Sequence, residues 1–149
     1  MSIAQDQLKR NKEVVRRLFL ECFSGAHFEL LDELISPDFE FEYPNVPSGI
    51  EGLKAIVKKN NETFENWQPK VHELLAEGYK VVARWSCTGI HTKSFMGESP
   101  TGKEVKLKGI AIYTLKNGKV CHDWVESDNL GFMTQLGALP PTDFTPDKL

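Results

Sequence analysis

The chain has 149 residues, 40% of them apolar and 26% charged, with a formal net charge of −3. That size and composition fit one domain with a real core and exclude a disordered segment. The mild acidity argues against nucleic acid or an anionic membrane as the main partner. Three isolated cysteines, Cys22, Cys87 and Cys121, make neither a disulfide framework nor a zinc knuckle and are expected as buried reduced thiols. No apolar stretch approaches the ~20 residues of a membrane span and no signal-peptide core opens the chain, so the expected location is cytoplasmic.

Hydrophobic spacing predicts a first helix over roughly 3–24, with Leu8, Val15, Leu18 and Cys22 on one side and Gly25 as terminator. A short second helix carries Phe28, Leu31, Leu34 and Ile35 and stops before Pro37. Residues 39–43 alternate as a strand with an aromatic face, Phe39, Phe41 and Tyr43, and an acidic face, Glu40 and Glu42. Ser48 and Glu51 have the spacing of a capping box, opening a helix to about Asn66 with Leu53, Ile56, Val57 and Phe64 inward.

From Gln68 onward the pattern reads as antiparallel sheet. Strands are expected at 71–76, 79–91, 104–115 and 119–127. Asn117-Gly118 is the strongest hairpin signal, since a type I′ turn needs positive φ at both central residues. A short helix at 129–136 closes the chain. Helices packed on one face of an antiparallel sheet define an α+β fold in one domain, 1–149: helices in 1–35, sheet with one inserted helix in 36–128, then a short helix and tail. A twisted sheet around a helix leaves room for a small-molecule pocket. No phosphate, nucleotide or metal motif is present, so no cofactor or metal site is expected.

Several stretches resemble the SnoaL-like polyketide cyclase (ester cyclase) family of the nuclear-transport-factor-2-like superfamily. They are Asn11-Lys-Glu-Val-Val-Arg-Arg17, Pro37-Asp-Phe39, Ala76-Glu-Gly78 and Val82-Ala-Arg-Trp85. The most specific is His91-Thr-Lys-Ser-Phe-Met-Gly-Glu-Ser-Pro-Thr-Gly-Lys103, and Asp128-Asn-Leu-Gly131 and Gln135-Leu-Gly137 follow. The resemblance implies a cone-shaped barrel of strongly curved antiparallel or mixed sheet wrapped around N-terminal helices, in the cystatin-like manner. It also implies a cofactor-free protein, commonly a homodimer or homotetramer, acting on a small hydrophobic substrate. In such cyclases a pocket base removes a proton beside an ester or ketone, and the enolate closes a ring by aldol attack. The family's key aspartate falls seven residues after the hairpin glycine, at Val125, and an assisting polar residue falls at Ala111. Neither side chain moves a proton, which weighs against the standard aldol mechanism here.

Strand parity offers a replacement. Asp123 lies one pleat from Val125 and should share its pocket-facing side, unless it is solvated or paired with Lys119 or His122. A carboxyl in an apolar cavity has a raised pKa suited to acid/base work near neutrality. Glu42 and His91 are candidates for the second catalytic group. The alternatives are a solvated acidic face for Glu42 and a loop-pinning role for His91. Trp85, Tyr113 and Tyr43, with Ala111 and Val125, are candidate substrate-binding residues, the aromatics suited to stacking on a flat skeleton. Core packing is the other reading of Trp85 and Tyr113. Asp128 reads as a helix cap. With these residues, the resemblance implies a cofactor-independent lyase or isomerase of secondary metabolism that cyclises, isomerises or dehydrates a polyketide- or terpenoid-like compound. A non-catalytic binding or dimerisation module of the same fold is the alternative.

Overall fold

The computed structural model describes residues 2–43, 45–141 and 143–148. The first apolar stripe forms α1, Ser2–Arg17, and continues as a π-helical turn, Leu18–Phe23, in which Leu18, Phe19 and Cys22 are buried. The wider turn ends where Ser24 N–H bonds the Phe19 carbonyl, and Gly25 follows at φ 79°. A 3₁₀ turn, Phe28–Leu30, leads into α2, Leu31–Leu34.

Strand β1 runs Ile35–Glu42, four residues earlier than the alternation suggested, and passes through Pro37. It can do so because β1 is an edge strand, paired on one side only, so the missing proline N–H costs no ladder bond. Its partner is β5, Lys119–Ser127, in parallel, with an irregularity between Ile35 and Glu40.

The expected capping box does not form. Helix α3 spans Ile50–Thr63, and its N-cap is Gly49 with no side-chain cap bond. The chain folds back tightly here instead: a Cβ on Gly52 would stand 1.6 Å from the Pro47 carbonyl oxygen, a separation only glycine avoids. The helix also stops three residues before Asn66. Strand β2, Phe64–Glu77, takes over directly, and Asn66 sits at φ 57° within a register shift between Glu65 and Gln68. Phe64, expected on the helix, therefore begins a strand and is fully buried.

Strands β3, Lys80–His91, and β4, Glu104–Lys116, complete a five-stranded sheet of order β1-β5-β4-β3-β2. It is mixed and open, with β1 and β2 as its edges, rather than a closed barrel. The Asn117-Gly118 turn has φ of 53° and 77°, as a type I′ hairpin needs. Alternation puts Val81, Ala83, Trp85 and Cys87 of β3 and Val105, Leu107, Ala111 and Tyr113 of β4 on the buried face. The helices cover that face.

The last helix, α4, spans Asn129–Gln135 and is capped by Asp128, whose carboxylate accepts the Gly131 N–H at 2.9 Å. Gln135 docks it on the sheet by bonding both the N–H and the carbonyl of Lys106, at 2.7 and 2.9 Å. Of the cysteines, Cys22 and Cys87 are buried, Cys121 is half-buried, and all three are free thiols. Among the described residues no helix is long and apolar enough to cross a membrane.

Candidate functional site

A cavity of about 470 Å³ opens between the concave sheet face and the helices. Its floor comes from β3, β4 and β5, because period-two alternation delivers one side chain in two from each strand to that face. Phe19 and Phe23 of the π-helical turn reach it from one side, with ring centroids 5.3 Å apart, and Phe132 and Met133 of α4 reach it from another. Phe95, in the loop 92–103, closes a further flank by packing on Phe64 and Phe132, at 5.3 and 6.0 Å.

Asp123 lines this cavity and is only 2% exposed. Both alternatives for it fail, since His122 meets Glu42 at 3.2 Å and the Lys119 ammonium donates to the Asp32 carbonyl at 2.5 Å. Asp123 Oδ1 has no hydrogen-bond partner among the described residues. Burial without compensating donors pushes its pKa well above the ordinary aspartate value. Strand parity holds at this point because the irregularity in the β4–β5 ladder falls earlier. Thr114 pairs with His122 and Leu115 with Val120, so the extra residue is Cys121, whose thiol donates to the Thr114 carbonyl. Cys121 thus leaves the alternation that Asp123 and Val125 follow.

Tyr113 stands directly opposite Asp123, lines the same cavity and is 1% exposed. Burial, then the nearby Asp123 charge, pushes its phenol well above its usual pKa, so it stays a protonated donor. One pleat along, Ala111 stands opposite Val125. Val125 lines the cavity, but Ala111 is completely buried and does not. The Phe19 ring lies 6.1 Å from that of Trp85 and 5.9 Å from that of Tyr113. Gly109 of β4 gives Trp85 its place, since a Cβ there would stand 2.8 Å from Cζ2.

The two other catalytic candidates are not brought to Asp123. Glu42 is exposed on the convex face, where its carboxylate meets His122, because Phe39 and Phe41 take the inward positions of β1. His91 is fully buried outside the cavity. Its Nδ1 accepts the Thr101 N–H at 3.1 Å, which leaves the ring proton on Nε2. With the His91 N–H bonded to the Lys103 carbonyl and the Gly102 N–H to the His91 carbonyl, it fastens the 92–103 loop. Tyr43 is at the cavity mouth, its hydroxyl 3.4 Å from the Asn129 amide oxygen.

Trp85 lines the cavity as expected. Ser127 does too, and the sequence reading passed over it although it continues the 123, 125, 127 alternation by one step. Both carry a buried polar atom without a partner among the described residues, Trp85 Nε1 and Ser127 Oγ. The cavity is thus mostly apolar and holds a buried carboxyl, a protonated phenol, an indole and a hydroxyl, with Lys59, Asn45, Asn60, Asn61 and Asn129 also on its lining. That set can take up a proton at one point and hydrogen-bond to oxygens at others.

No curated protein matches this sequence. Among solved structures, TsrD from Streptomyces laurentii is 28% identical, with a TM-score of 0.77 over 91% of this chain and 98% of its own. A candidate polyketide cyclase from Bacillus cereus is 27% identical, with a TM-score of 0.79 over 93% of this chain and 87% of its own. AclR from Streptomyces galilaeus, a candidate hydroxylase, is 20% identical with a TM-score of 0.80 over 92% of this chain and 91% of its own, a likeness of fold alone. The sequence profile of the family described as SnoaL-like polyketide cyclase matches residues 13–136, and the chain belongs to that family.

Proposed function

We propose that the protein is a cytoplasmic, cofactor-independent acid/base enzyme of secondary metabolism in which Asp123 moves the proton. It acts on a polyketide- or terpenoid-like compound by cyclisation, isomerisation or dehydration. The observation that carries this reading is the Asp123 carboxyl, 2% exposed in a mostly apolar cavity and lacking a partner on Oδ1 among the described residues. A native fold tolerates such a group where function requires it. The family resemblance puts the usual acid/base pair at positions 111 and 125, which face each other across β4 and β5. Two residues along the same face, Tyr113 and Asp123 face each other in the same way. The proton-transfer pair has moved by one pleat, about 7 Å along the strands.

In this mechanism Asp123 removes a proton from carbon beside a substrate carbonyl, and the electrons pass to the carbonyl oxygen. The Tyr113 phenol donates a hydrogen bond to that developing oxyanion. The enolate carbon then attacks a second carbonyl within the same molecule and Asp123, now the acid, returns its proton to the new alkoxide, or a conjugated enolate takes that proton back at a different carbon. An aromatic β-keto ester in D₂O tests the first step. The protein should accelerate exchange of the α-proton over buffer, and exchange at the buffer rate would sink the reading. The other reading, a binding module without catalysis, draws on the apolar Ala111 and Val125 and expects that negative result.

A homodimer belongs to the same proposal. The convex face exposes Ile110, Ile112 and Trp124 at 49, 40 and 53%, with Ile112 directly opposite Trp124, an apolar patch suited to a second copy. Sedimentation at micromolar concentration should give twice the chain mass for the wild type and the chain mass for Ile112→Glu. A wild-type monomer would contradict it.

A further inference from the structure

The 92–103 loop walls the cavity with Phe95 and Met96, yet its tip is lightly held. Phe95 and Glu98 exchange N–H···O bonds across a two-residue turn, with Met96 at φ 50° and Gly97 at φ 84°. Among the described residues no hydrogen bond joins residues 94–100 to the rest of the domain, so the tip rests on the Phe95 ring. The ends carry the fastening. The Thr92 and Lys93 N–H groups reach the Thr63 carbonyl, each at 3.3 Å, while Thr101, Gly102 and Lys103 return to His91.

One of these bonds depends on a proton that comes and goes, the Thr101 N–H into His91 Nδ1 at 3.1 Å. A peptide N–H keeps its proton, so Nδ1 can accept only while the imidazole is neutral. A second proton on the ring must sit on Nδ1, where it faces the Thr101 N–H. The Thr101 hydroxyl, 3.2 Å from Nδ1, can receive it only with the Thr101 N–H left unbonded. The imidazolium would also be stranded, 0% exposed, with its ring 5.5 Å from that of Phe64 and no acceptor for Nε2 among the described residues. The charged residues of the surrounding elements are Glu62 of α3, Glu65 of β2, Glu104 of β4 and Lys93, Glu98 and Lys103 of the loop, and none of them serves Nε2. Helix α4 has no charged residue.

We propose that His91 is an acid-released latch on a lid: its neutral ring holds the 92–103 loop over the cavity, and protonation at Nδ1 frees the loop and opens the cavity. The latch stands on the geometry around His91, and its value for regulation rests on the reading of Asp123 as the base. On that reading Asp123 works as a carboxylate. The lid is then closed on the side of the pH scale where the base is ionised, and it keeps water from the enolate.

Amide exchange of the free protein, expressed as protection factors so that the intrinsic pH dependence cancels, tests the latch. Between about pH 8 and 5, the range in which imidazoles titrate, protection of the Thr101, Gly102 and Lys103 amides should fall by up to about 10-fold per pH unit, the slope of one coupled proton. Protection of Val81 and Val105 in the sheet should hold. His91→Asn puts an amide oxygen near the Nδ1 position, an acceptor that does not titrate, and its loop protection should be flat with pH. The neutral dye N-phenyl-1-naphthylamine should enter the wild-type cavity faster as pH falls and enter the variant at one rate throughout. If His91→Asn does not fold, the ring ¹⁵N shifts of the wild type decide, with a proton on Nε2 at neutral pH and ring titration coincident with loop release as the expected result. A neutral ring protonated on Nδ1, loop protection unchanged while His91 titrates, or the same pH dependence in His91→Asn would overturn the latch. Dye entry indifferent to pH would overturn the lid. None of these readouts needs turnover. Exchange of the substrate α-proton at the buffer rate, with the pH-dependent loop intact, would remove the catalytic reading and keep the latch.

Discussion

Asp123→Asn should lower proton-transfer activity by about 10²–10⁴-fold, the usual contribution of a positioned general base, while the fold is retained. Asparagine keeps the shape and removes the basicity, so a loss through misfolding would be seen separately in the circular dichroism spectrum. The same substitution has a signature in stability. The folded protein holds the Asp123 proton to higher pH than the unfolded chain does, because burial disfavours the carboxylate. Below the ordinary aspartate pKa of about 3.9, both states are protonated and the contribution to stability is fully present. As pH rises from there through the raised folded value, the native state binds more protons than the unfolded one, and the contribution is lost. Asparagine does not titrate. Urea midpoints of wild type and variant should therefore diverge as pH rises across that window, with the variant gaining. Parallel curves would mean that Asp123 titrates alike in the folded and unfolded states.

Phe64→Ala should cost about 3–5 kcal/mol of stability, the range for a large aromatic removed from a packed core. Phe64 is fully buried, with ring centroids 5.0 Å from Trp67, 5.5 Å from His91, 5.3 Å from Phe95 and 5.5 Å from Phe132. It thereby joins β2, the end of β3, the 92–103 loop and α4. Gly89 leaves room for it, since a Cβ there would come within 2.9 Å of both Phe64 and Trp67. Removing the ring also takes away the surface on which Phe95 rests. The 92–103 loop should then lose amide-exchange protection beyond the global change. A urea midpoint shift corresponding to under about 1 kcal/mol would show that the cluster relaxes into the space, contrary to the close packing described.

Much of this was legible in the sequence because local rules governed it. The Asn117-Gly118 turn marks the β4–β5 hairpin, and alternation back from Val125 places Asp123 on the concave face, because the bulge at Cys121 lies nearer the turn. Alternation also put Glu40 and Glu42 outward, and the chemistry of a strand-end carboxylate was given weight that its parity did not support. The β1 start escaped notice because Pro37 reads as a breaker, and only the edge position of β1 makes it harmless. The failed capping box has a similar origin. Ser48 and Glu51 have the right spacing, but the contact of Gly52 with the Pro47 carbonyl fixes the entry of α3 and makes Gly49 the cap. The cavity walls were the least readable part. Phe19, Phe95 and Phe132 come from three separated segments, and only the tertiary fold makes them neighbours.

¹³C NMR of aspartate side-chain carboxyls across pH, with Asp123 assigned by its absence from the Asp123→Asn spectrum, distinguishes a buried base from a solvated carboxylate. The Asp123 resonance should titrate well above those of the exposed aspartates and shift further when an aromatic ketone occupies the cavity. A midpoint near the ordinary value of about 3.9, indifferent to ligand, would put the carboxyl in water and contradict a buried base at the heart of the site.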